Sequence, residues 1–374
     1  MRKRLPIFML LVFVGSLVSG CYDRMDLEQQ TSSLLAGIDL DRENKLVVYA
    51  SNPVFSKHVQ DKSQEIGLKA QTLRQARGAL EARTFGFLSN RKVQIMLIGK
   101  RILEHEDWYR LMDVVLRDTK NPLDQRMVVF NGPLSEIINL DPKDQPILPI
   151  LLRGMVDTKS ARAETVKTTF QELDRLFYDK GVTPYMSEVV LDKENELAVD
   201  GTTLLDNKGK YAATLNMPET INLHILQNKV KKPVSFTIRI PGQPQSSPFA
   251  LDRVSFNAGN VKTKISTSYR GERFRFGIGV RMSISLTERL VPMDVQEQGK
   301  ELEGLIAEQV QHQLESLIRT IQKHQIDPIG LGLYARAYEN SRYQEVQEHW
   351  GEALAKADVQ VSVKVSIRSM GPVK

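Results

Sequence analysis

The sequence predicts a mixed α/β (α+β) protein of several domains. In the first half, segments with helical spacing of apolar residues alternate with short apolar runs typical of strands, a pattern that favours an α/β layer. In the second half, every second residue of a long segment, 274–286, is apolar, and an amphipathic helical pattern follows at residues 300–325. The 374 residues also exceed one hydrophobic core of ordinary size, so two or three domains are expected.

The first twenty residues have the three parts of a signal peptide. Cations at residues 2–4 precede an uncharged, largely apolar run at residues 5–18, and small residues then lead to Cys21. A membrane-spanning helix needs roughly 20 consecutive apolar residues, whereas this run is shorter and charged residues follow soon after it. We therefore expect residues 1–20 to be removed.

Cys21 is the only cysteine of the chain. Residues 18–21, Val-Ser-Gly-Cys, match the bacterial lipobox, in which the cysteine thiol accepts a diacylglycerol group. An exported protein with one thiol cannot form an internal disulfide, and two or three acyl chains hold a protein stably on a bilayer. We therefore predict lipidation at Cys21. The alternative is an ordinary signal peptide followed by a chance cysteine.

The predicted N-terminal domain, residues 21–200, has room for two subdomains. It begins with a hairpin whose arms at residues 32–39 and 46–50 are joined by a turn at 41–44. Asp39 and Asp41 flank this turn, where acidic residues are common for structural reasons. The remaining predicted elements are helix 68–83, strand 93–98, helix 104–117, strand 126–130, helix 134–140, helix 160–180 and a strand at 189–191.

The predicted C-terminal domain, residues 201–374, consists of an antiparallel sheet packed on the long helix 300–325. The change of pattern places the boundary between residues 195 and 230, and we set it after residue 200. Hairpin arms at 201–205 and 211–213 come first. The sheet strands are predicted at 234–240, 261–265, 274–286 and 359–367. In the last of these the odd positions are apolar and are expected to face the helix.

The sequence contains no recognisable catalytic or metal-binding pattern. No two of the six histidines have i, i+4 spacing, and HExxH, CxxC, phosphate-loop and GxSxG motifs are absent. The pairs Gly277/Gly279 and Gly330/Gly332 are interpreted as sites of bulges or close backbone packing. We therefore predict a protein that is not an enzyme and that holds no metal or cofactor.

The charge of the chain does not indicate nucleic-acid binding. Half of the formal net charge of +6 comes from the cations at residues 2–4, and no Lys/Arg run is interleaved with aromatic residues. The densest cationic patch is Lys229, Lys231 and Lys232. We interpret it as solvated charge beside a strand, with binding of an anionic lipid headgroup as the alternative.

Several short motifs occur in a defined order along the chain. They are Cys21-Tyr22-Asp23, Asp26-Leu27, Gly37-Ile38-Asp39, Leu97-Ile98-Gly99, Arg117-Asp118, Asp327-Pro328-Ile329-Gly330-Leu331-Gly332, Trp350, and Gly371 after a valine-rich strand. In this order around a lipobox, the chain resembles, nearly end to end, the Ger(x)C family, the GerAC- and GerBC-type C subunits of bacterial spore germinant receptors. Tyr22 stands where the family often has Trp, and Arg91 and Lys92 where it often has His, so the germinant is left open.

The resemblance implies a lipoprotein on the outer face of the spore inner membrane. Such C subunits work with two polytopic membrane subunits, A and B, in a complex that senses nutrients and starts germination, and no enzymatic activity is implied. Direct contact with a small-molecule germinant stays open. A substrate-binding lipoprotein that captures a nutrient itself is the alternative, and it requires a pocket with convergent polar groups. An envelope hydrolase lacks every motif that it would need.

Overall fold

The computed structural model describes residues 29–55, 59, 61–140, 145–241 and 249–370. The predicted signal peptide and Cys21 lie outside this part of the chain. Within it, the strands form an eight-stranded sheet, a four-stranded sheet and a two-stranded pair, which confirms the mixed α/β prediction. In the same residues, no helix has the length and apolar character needed to cross a membrane.

Strands and helices are interspersed in the first half of the chain, and the second half combines long strands with the longest helix. The strands are β1 (Gln30–Ser32), β2 (Leu35–Leu40), β3 (Leu46–Pro53), β4 (Ser63–Lys69), β5 (Phe87–Ser89), β6 (Ile95–Gly99), β7 (Arg126–Phe130), β8 (Tyr185–Leu191), β9 (Leu197–Leu205), β10 (Tyr211–Asn216), β11 (Val234–Arg239), β12 (Arg253–Arg270), β13 (Arg273–Arg289) and β14 (Asp358–Ser369). The α-helices are α1 (Leu73–Glu81), α2 (Asp113–Arg117), α3 (Leu134–Ile137), α4 (Leu148–Ala161), α5 (Phe170–Tyr178), α6 (Met217–Leu226), α7 (Val295–Lys323), α8 (Leu331–Tyr338), α9 (Asn340–Val346) and α10 (Trp350–Ala355).

The eight-stranded sheet has the order β10-β9-β8-β7-β6-β2-β3-β4. Its central strands β2, β6, β7 and β8 are parallel, and the outer strands are added by antiparallel pairing. Alternate residues of β6 enter two different cores, Met96 and Ile98 beside α5, and Ile95 and Leu97 beside α3 and α4. Because helices cover both faces, the central strands are continuous apolar runs.

The four-stranded sheet has the order β11-β12-β13-β14 and is covered on one face only. In β11 and β13 buried and exposed residues alternate, as predicted. Helix α7 supplies the cover, and its buried residues are Val295, Leu302, Ile306, Val310, Leu314, Leu317, Ile318 and Ile321. The helix begins earlier than residue 300 because the Asp294 side chain accepts hydrogen bonds from the backbone N–H groups of Gln296 and Glu297.

The last strand departs from the predicted antiparallel arrangement. β14 pairs with β13 in parallel, with Ile278 opposite Val361 and Val280 opposite Val363. Helix α7 carries the chain along the sheet, and α8 to α10 follow before the last strand, which then enters the sheet in the same direction as β13. Such a crossover is what a parallel connection requires. The predicted inward orientation of the odd-numbered valines is confirmed.

Three predicted helices begin in the wrong place. The predicted helix 104–117 is α-helical only in α2, after a 3₁₀ segment at Glu106–Met112. The predicted helix 160–180 is the end of α4 and the separate helix α5, since Ala163 has a positive φ of 59° and the Thr169 side chain caps a new helix by accepting from the N–H of Glu172. The predicted helix 68–83 starts only after the Thr72 cap, and Leu68 is a buried residue of β4.

The two sheets share a core at their junction. Leu204 and Leu215, from β9 and β10, belong to the same apolar cluster as the inner face of the four-stranded sheet. Strand β9 spans residues 200 and 201, where the domain division is predicted, and it pairs there with both neighbours. The division after residue 200 therefore stays a prediction.

Candidate functional site

A buried carboxylate, Asp327, organises the turn between α7 and α8. Its Oδ1 accepts hydrogen bonds from the backbone N–H groups of Gly330 and Leu331, at 2.8 and 3.0 Å, and its Oδ2 accepts from the N–H of Gly332 and from the Trp350 indole, both at 2.8 Å. Gly330 has φ of 87°, a conformation that favours glycine. Burial raises the pKa of Asp327, and the four donated hydrogen bonds oppose that rise.

The same turn joins the second half of the chain to the first. The N–H of Asp327 donates to Thr183 Oγ1 at 3.0 Å, and the N–H of Thr183 donates to the Asp327 carbonyl at 2.9 Å. A Cβ atom added to Gly332 would lie 2.6 Å from the Cα of Gly181, so only glycine permits this approach, as predicted for the second glycine pair. All four hydrogen bonds to the Asp327 carboxylate come from protein donors. Asp327 therefore stabilises the contact between the two halves of the chain.

A second buried carboxylate, Asp39, connects β2 to α3. It accepts hydrogen bonds from the N–H groups of Leu40 and Leu134, both at 2.8 Å, and a Cβ at Gly99 would lie 2.1 Å from its Oδ1. Asp39 flanks the hairpin turn, as predicted, but its carboxylate contacts the backbone of Leu40 and α3 and not that of the turn. Asp41 makes the turn contacts, because its carboxylate accepts from the backbone of residues 43 and 45.

A third buried carboxylate, Glu188 of β8, was not identified from the sequence. Its Oε1 accepts from Lys100 Nζ at 2.9 Å, and its Oε2 accepts from the hydroxyls of Thr203 and Thr214 at 2.5 and 2.8 Å. The available signal was one acidic residue within an apolar strand. Because all three partners are distant in sequence, no local pattern shows that the charge is compensated.

The described residues contain no group of three or more His, Cys, Asp and Glu side chains that could hold a metal ion. His58 lies outside them. His224, on α6, has Nε2 at 3.1 Å from the Thr165 carbonyl oxygen, and burial lowers the pKa of His224 to about 4. A largely neutral imidazole paired with one backbone carbonyl is a packing feature of α6.

The predicted lysine patch borders a cleft of about 560 Å³ between the two halves of the chain. Lys229 Nζ donates to the Tyr185 hydroxyl at 2.8 Å and lies 3.7 Å from the Glu172 carboxylate. Lys229 is therefore engaged within the protein, whereas Lys231 and Lys232 are exposed and present their charges to solvent.

The outer face of the four-stranded sheet carries a row of exposed cations. Lys262 of β12 is opposite Arg281 of β13, which is opposite Lys364 of β14, and we name these three residues the cationic row. Like charges directly opposite each other destabilise a sheet. The neighbouring face residues Gly277, Gly279 and Ser362 are small or without side chains, so the surface is open to an anionic partner.

Comparisons with known proteins agree with this architecture. The family described as "Spore germination protein N-terminal domain" matches residues 23–191, and the family described as "Spore germination B3/ GerAC like, C-terminal" matches residues 200–371. No curated protein sequence matches the chain. A solved structure titled "Crystal Structure of the GerBC protein" is 14% identical, with a TM-score of 0.58 over 89% of this chain and 96% of that chain, which shows a shared fold. The chain belongs to the Ger(x)C family of spore germination proteins.

Proposed function

We propose that this protein is the lipid-anchored C subunit of a spore germinant receptor. It acts at the outer face of the spore inner membrane, through assembly or signalling with the polytopic A and B subunits, in nutrient-triggered germination. The observation that carries the proposal is the match of two spore germination families over residues 23–191 and 200–371, directly after a lipobox that ends at Cys21. The family is one of receptor subunits and not a known enzyme family.

The surface chemistry supports docking as the working mode. The cationic row is exposed on an open sheet face, and the three buried carboxylates have their hydrogen-bonding partners inside the protein. An acidic surface on a receptor partner would relieve the repulsion within the row, because opposite charges on facing surfaces favour association. Reversal of all three charges is therefore expected to reduce copurification of the A and B subunits.

The decisive test replaces Cys21. Spores that carry Cys21→Ala are expected to germinate several-fold more slowly in nutrient, because the body loses the high local concentration that the membrane provides. The measurement is the fraction of spores germinated with time, together with the amount of protein in the membrane fraction. Wild-type germination by spores whose variant protein is absent from the membrane would contradict the proposal.

A second experiment separates receptor assembly from nutrient capture. The protein is extracted from spore membranes, and mass spectrometry identifies the N-terminal peptide and everything that copurifies. We expect an acylated Cys21 peptide together with the A and B subunits. A lipidated protein without them but with a bound small molecule would favour the nutrient-capturing lipoprotein. An apolar groove of about 660 Å³ beside α4, lined by Ile150, Met155 and Val199, is the place where such a ligand would be sought.

A further inference from the structure

Two loops at one end of the eight-stranded sheet, and the start of β5 beside them, expose phenylalanine side chains. Phe55 is 86% exposed, Phe85 is 83% exposed and Phe87 is 61% exposed, and we name these three residues the aromatic loop cluster. Soluble proteins seldom expose several large apolar side chains close together unless the surface has a partner. The exposed aromatic loop cluster is therefore a candidate interaction surface.

Hydrogen bonds hold the two loops side by side. The N–H of Val54 donates to the Lys62 carbonyl at 2.9 Å, which continues the β3-β4 ladder beyond Pro53 and fixes the strand end next to Phe55. The Gln64 side chain of β4 donates to the Arg83 carbonyl at 3.3 Å. The loop that contains Phe85 and the strand end that precedes Phe55 thus belong to one surface.

The same surface holds the first described residues of the chain. β1 pairs with β5, with Gln30 opposite Phe87, and the Thr31 hydroxyl donates to the Phe85 carbonyl. Gly86 approaches Gln29 so closely that a Cβ there would lie 2.3 Å from the Gln29 carbonyl oxygen. The chain that comes from Cys21 therefore enters the fold beside the aromatic loop cluster.

The distance to the lipid site is short. Gln29 is eight positions after Cys21, and a chain of that length extends over at most about 28 Å. An acylated Cys21 would therefore hold Phe85 and Phe87 close to the bilayer surface.

The charges around the cluster also fit a bilayer. Lys62 and Arg83 are exposed in the same two loops, Arg91 and Lys92 are exposed in the loop that follows β5, and Asp61 is the acidic residue among the described positions of these three loops. Aromatic side chains flanked by cations are typical of segments that bind the interface of anionic membranes.

We propose that the aromatic loop cluster inserts into the headgroup region of the anionic bilayer that carries the lipid of Cys21. This inference rests on the proposed function for the anchor and adds a defined orientation, since the end of the body with β1 and β5 lies on the membrane. The opposite end of the central strands β2 and β6, where Asp39 and Gly99 lie, then points away from the bilayer.

Insertion is measured with a new tryptophan in the lipidated, full-length protein in vesicles of phosphatidylglycerol and brominated phosphatidylcholine. Both native tryptophans, Trp108 and Trp350, are buried, so a new indole is observed above a constant background. Phe85→Trp is expected to show a blue-shifted emission and strong quenching by the brominated lipid. Tyr338→Trp, an exposed site in the C-terminal half, is the matched control and is expected to show neither. Equal weak quenching at both sites would overturn the proposal.

A second measurement distinguishes failure of this proposal from failure of the anchor. Unlipidated protein carrying Cys21→Ala is sedimented with phosphatidylglycerol vesicles, with and without Phe85→Ser and Phe87→Ser. We expect binding that weakens with salt and falls about tenfold in the serine variant, while Tyr338→Ser leaves it unchanged. Such binding would support the inference even if Cys21 were found without lipid. An unquenched Phe85→Trp in a protein that is lipidated and vesicle-bound would overturn the inference and leave the anchor standing.

A receptor protein as the occupant of the cluster has its own signature. In that case the serine variant would bind vesicles normally but lose copurification of the A or B subunit, and this outcome would overturn the bilayer assignment. Thermal unfolding of each variant is compared with that of the wild-type protein. An unchanged midpoint is expected, because Phe85 and Phe87 are exposed and their replacement removes little buried area.

Discussion

The two large sheets differ in where their charged residues lie and in how those charges are compensated. The eight-stranded sheet has helices on both faces, and its buried acids Asp39 and Glu188 have all their contacts inside the protein. The four-stranded sheet has one covered face, and its outer face aligns the like charges of the cationic row. The first region therefore serves as a scaffold, and the second presents a surface. We expect changes to buried polar groups to reduce stability strongly, and changes to the open face to act mainly on binding.

The strongest test of this difference is at the junction. Asp327→Ala removes an acceptor of four hydrogen bonds and leaves buried donors without a partner, so we expect the free energy of unfolding to fall by about 4 kcal/mol or more. The measurement is denaturant unfolding followed by circular dichroism.

The matched variant for this experiment is Asp327→Asn. Its amide oxygen retains part of the accepted hydrogen bonds, so a smaller loss is expected. In a Trp108→Phe background the remaining indole, Trp350, reports on the second region, whose transition should move to lower denaturant concentration. A loss below about 1 kcal/mol for Asp327→Ala would mean that the junction does not depend on this carboxylate.

An effect of intermediate size on the free energy of unfolding is expected when the pH is changed, because His224, on α6 between the two sheets, binds a proton differently in the folded and unfolded states. The pKa of His224 is lowered to about 4 in the folded protein, whereas a histidine in the unfolded chain titrates near 6.5. Between these pH values the unfolded chain binds the proton and the folded protein does not. The free energy of unfolding therefore falls as the pH is lowered from about 6.5 to 4, by at most about 3 kcal/mol from this residue.

The measurement is the denaturation midpoint at pH 7.5 and pH 4.5. His224→Gln is expected to lose part of the difference between the two midpoints, whereas His312→Gln, at an exposed position of α7, should keep all of it. The same pH dependence in both variants would show that His224 titrates freely in the folded state.

The smallest change in the free energy of unfolding is expected on the open face of the four-stranded sheet, and here the change is an increase. Arg281→Gln removes the central charge of the cationic row, so we expect stability to rise by about 0.5 kcal/mol at low salt and the gain to vanish at high salt. The control is Arg275→Gln, because Arg275 lies between Ser268 and Asp358 and has no like charge opposite. A loss of stability in Arg281→Gln would contradict the repulsion inferred for the row.

The sequence predicted elements well where burial and periodicity coincide. The alternation in residues 274–286 and the stripe on α7 are set by one covered face, and both elements are present. The predicted helix 160–180 is wrong because the helical spacing of apolar residues continues across the left-handed residue Ala163 and the Thr169 cap. The left-handed backbone at Ala163 and the Thr169 cap end one helix and begin another, although the helical spacing of apolar residues continues through both.

The sites were harder to predict because they are built from distant residues. Asp327 and Gly332 were noticed as parts of a motif, but the partner residues Thr183 and Trp350 lie 144 and 23 positions away from Asp327. The pair Lys100 and Glu188 is separated by 88 positions. The cationic row depends on strand register, which a single sequence does not determine. The lipobox is different, since it is read by local sequence alone, and Cys21 stays a prediction.

The parallel pairing of β14 has a consequence for how the protein is made. β13 ends at Arg289, yet its second neighbour begins only at Asp358, after α7 to α10. Until those last residues leave the ribosome or the export channel, the 17-residue β13 presents an unpaired edge that can pair with another chain. A chain that stops before residue 358 lacks β14 and keeps that edge of β13 unpaired. We therefore expect such truncated chains to aggregate more readily than chains in which β14 has paired.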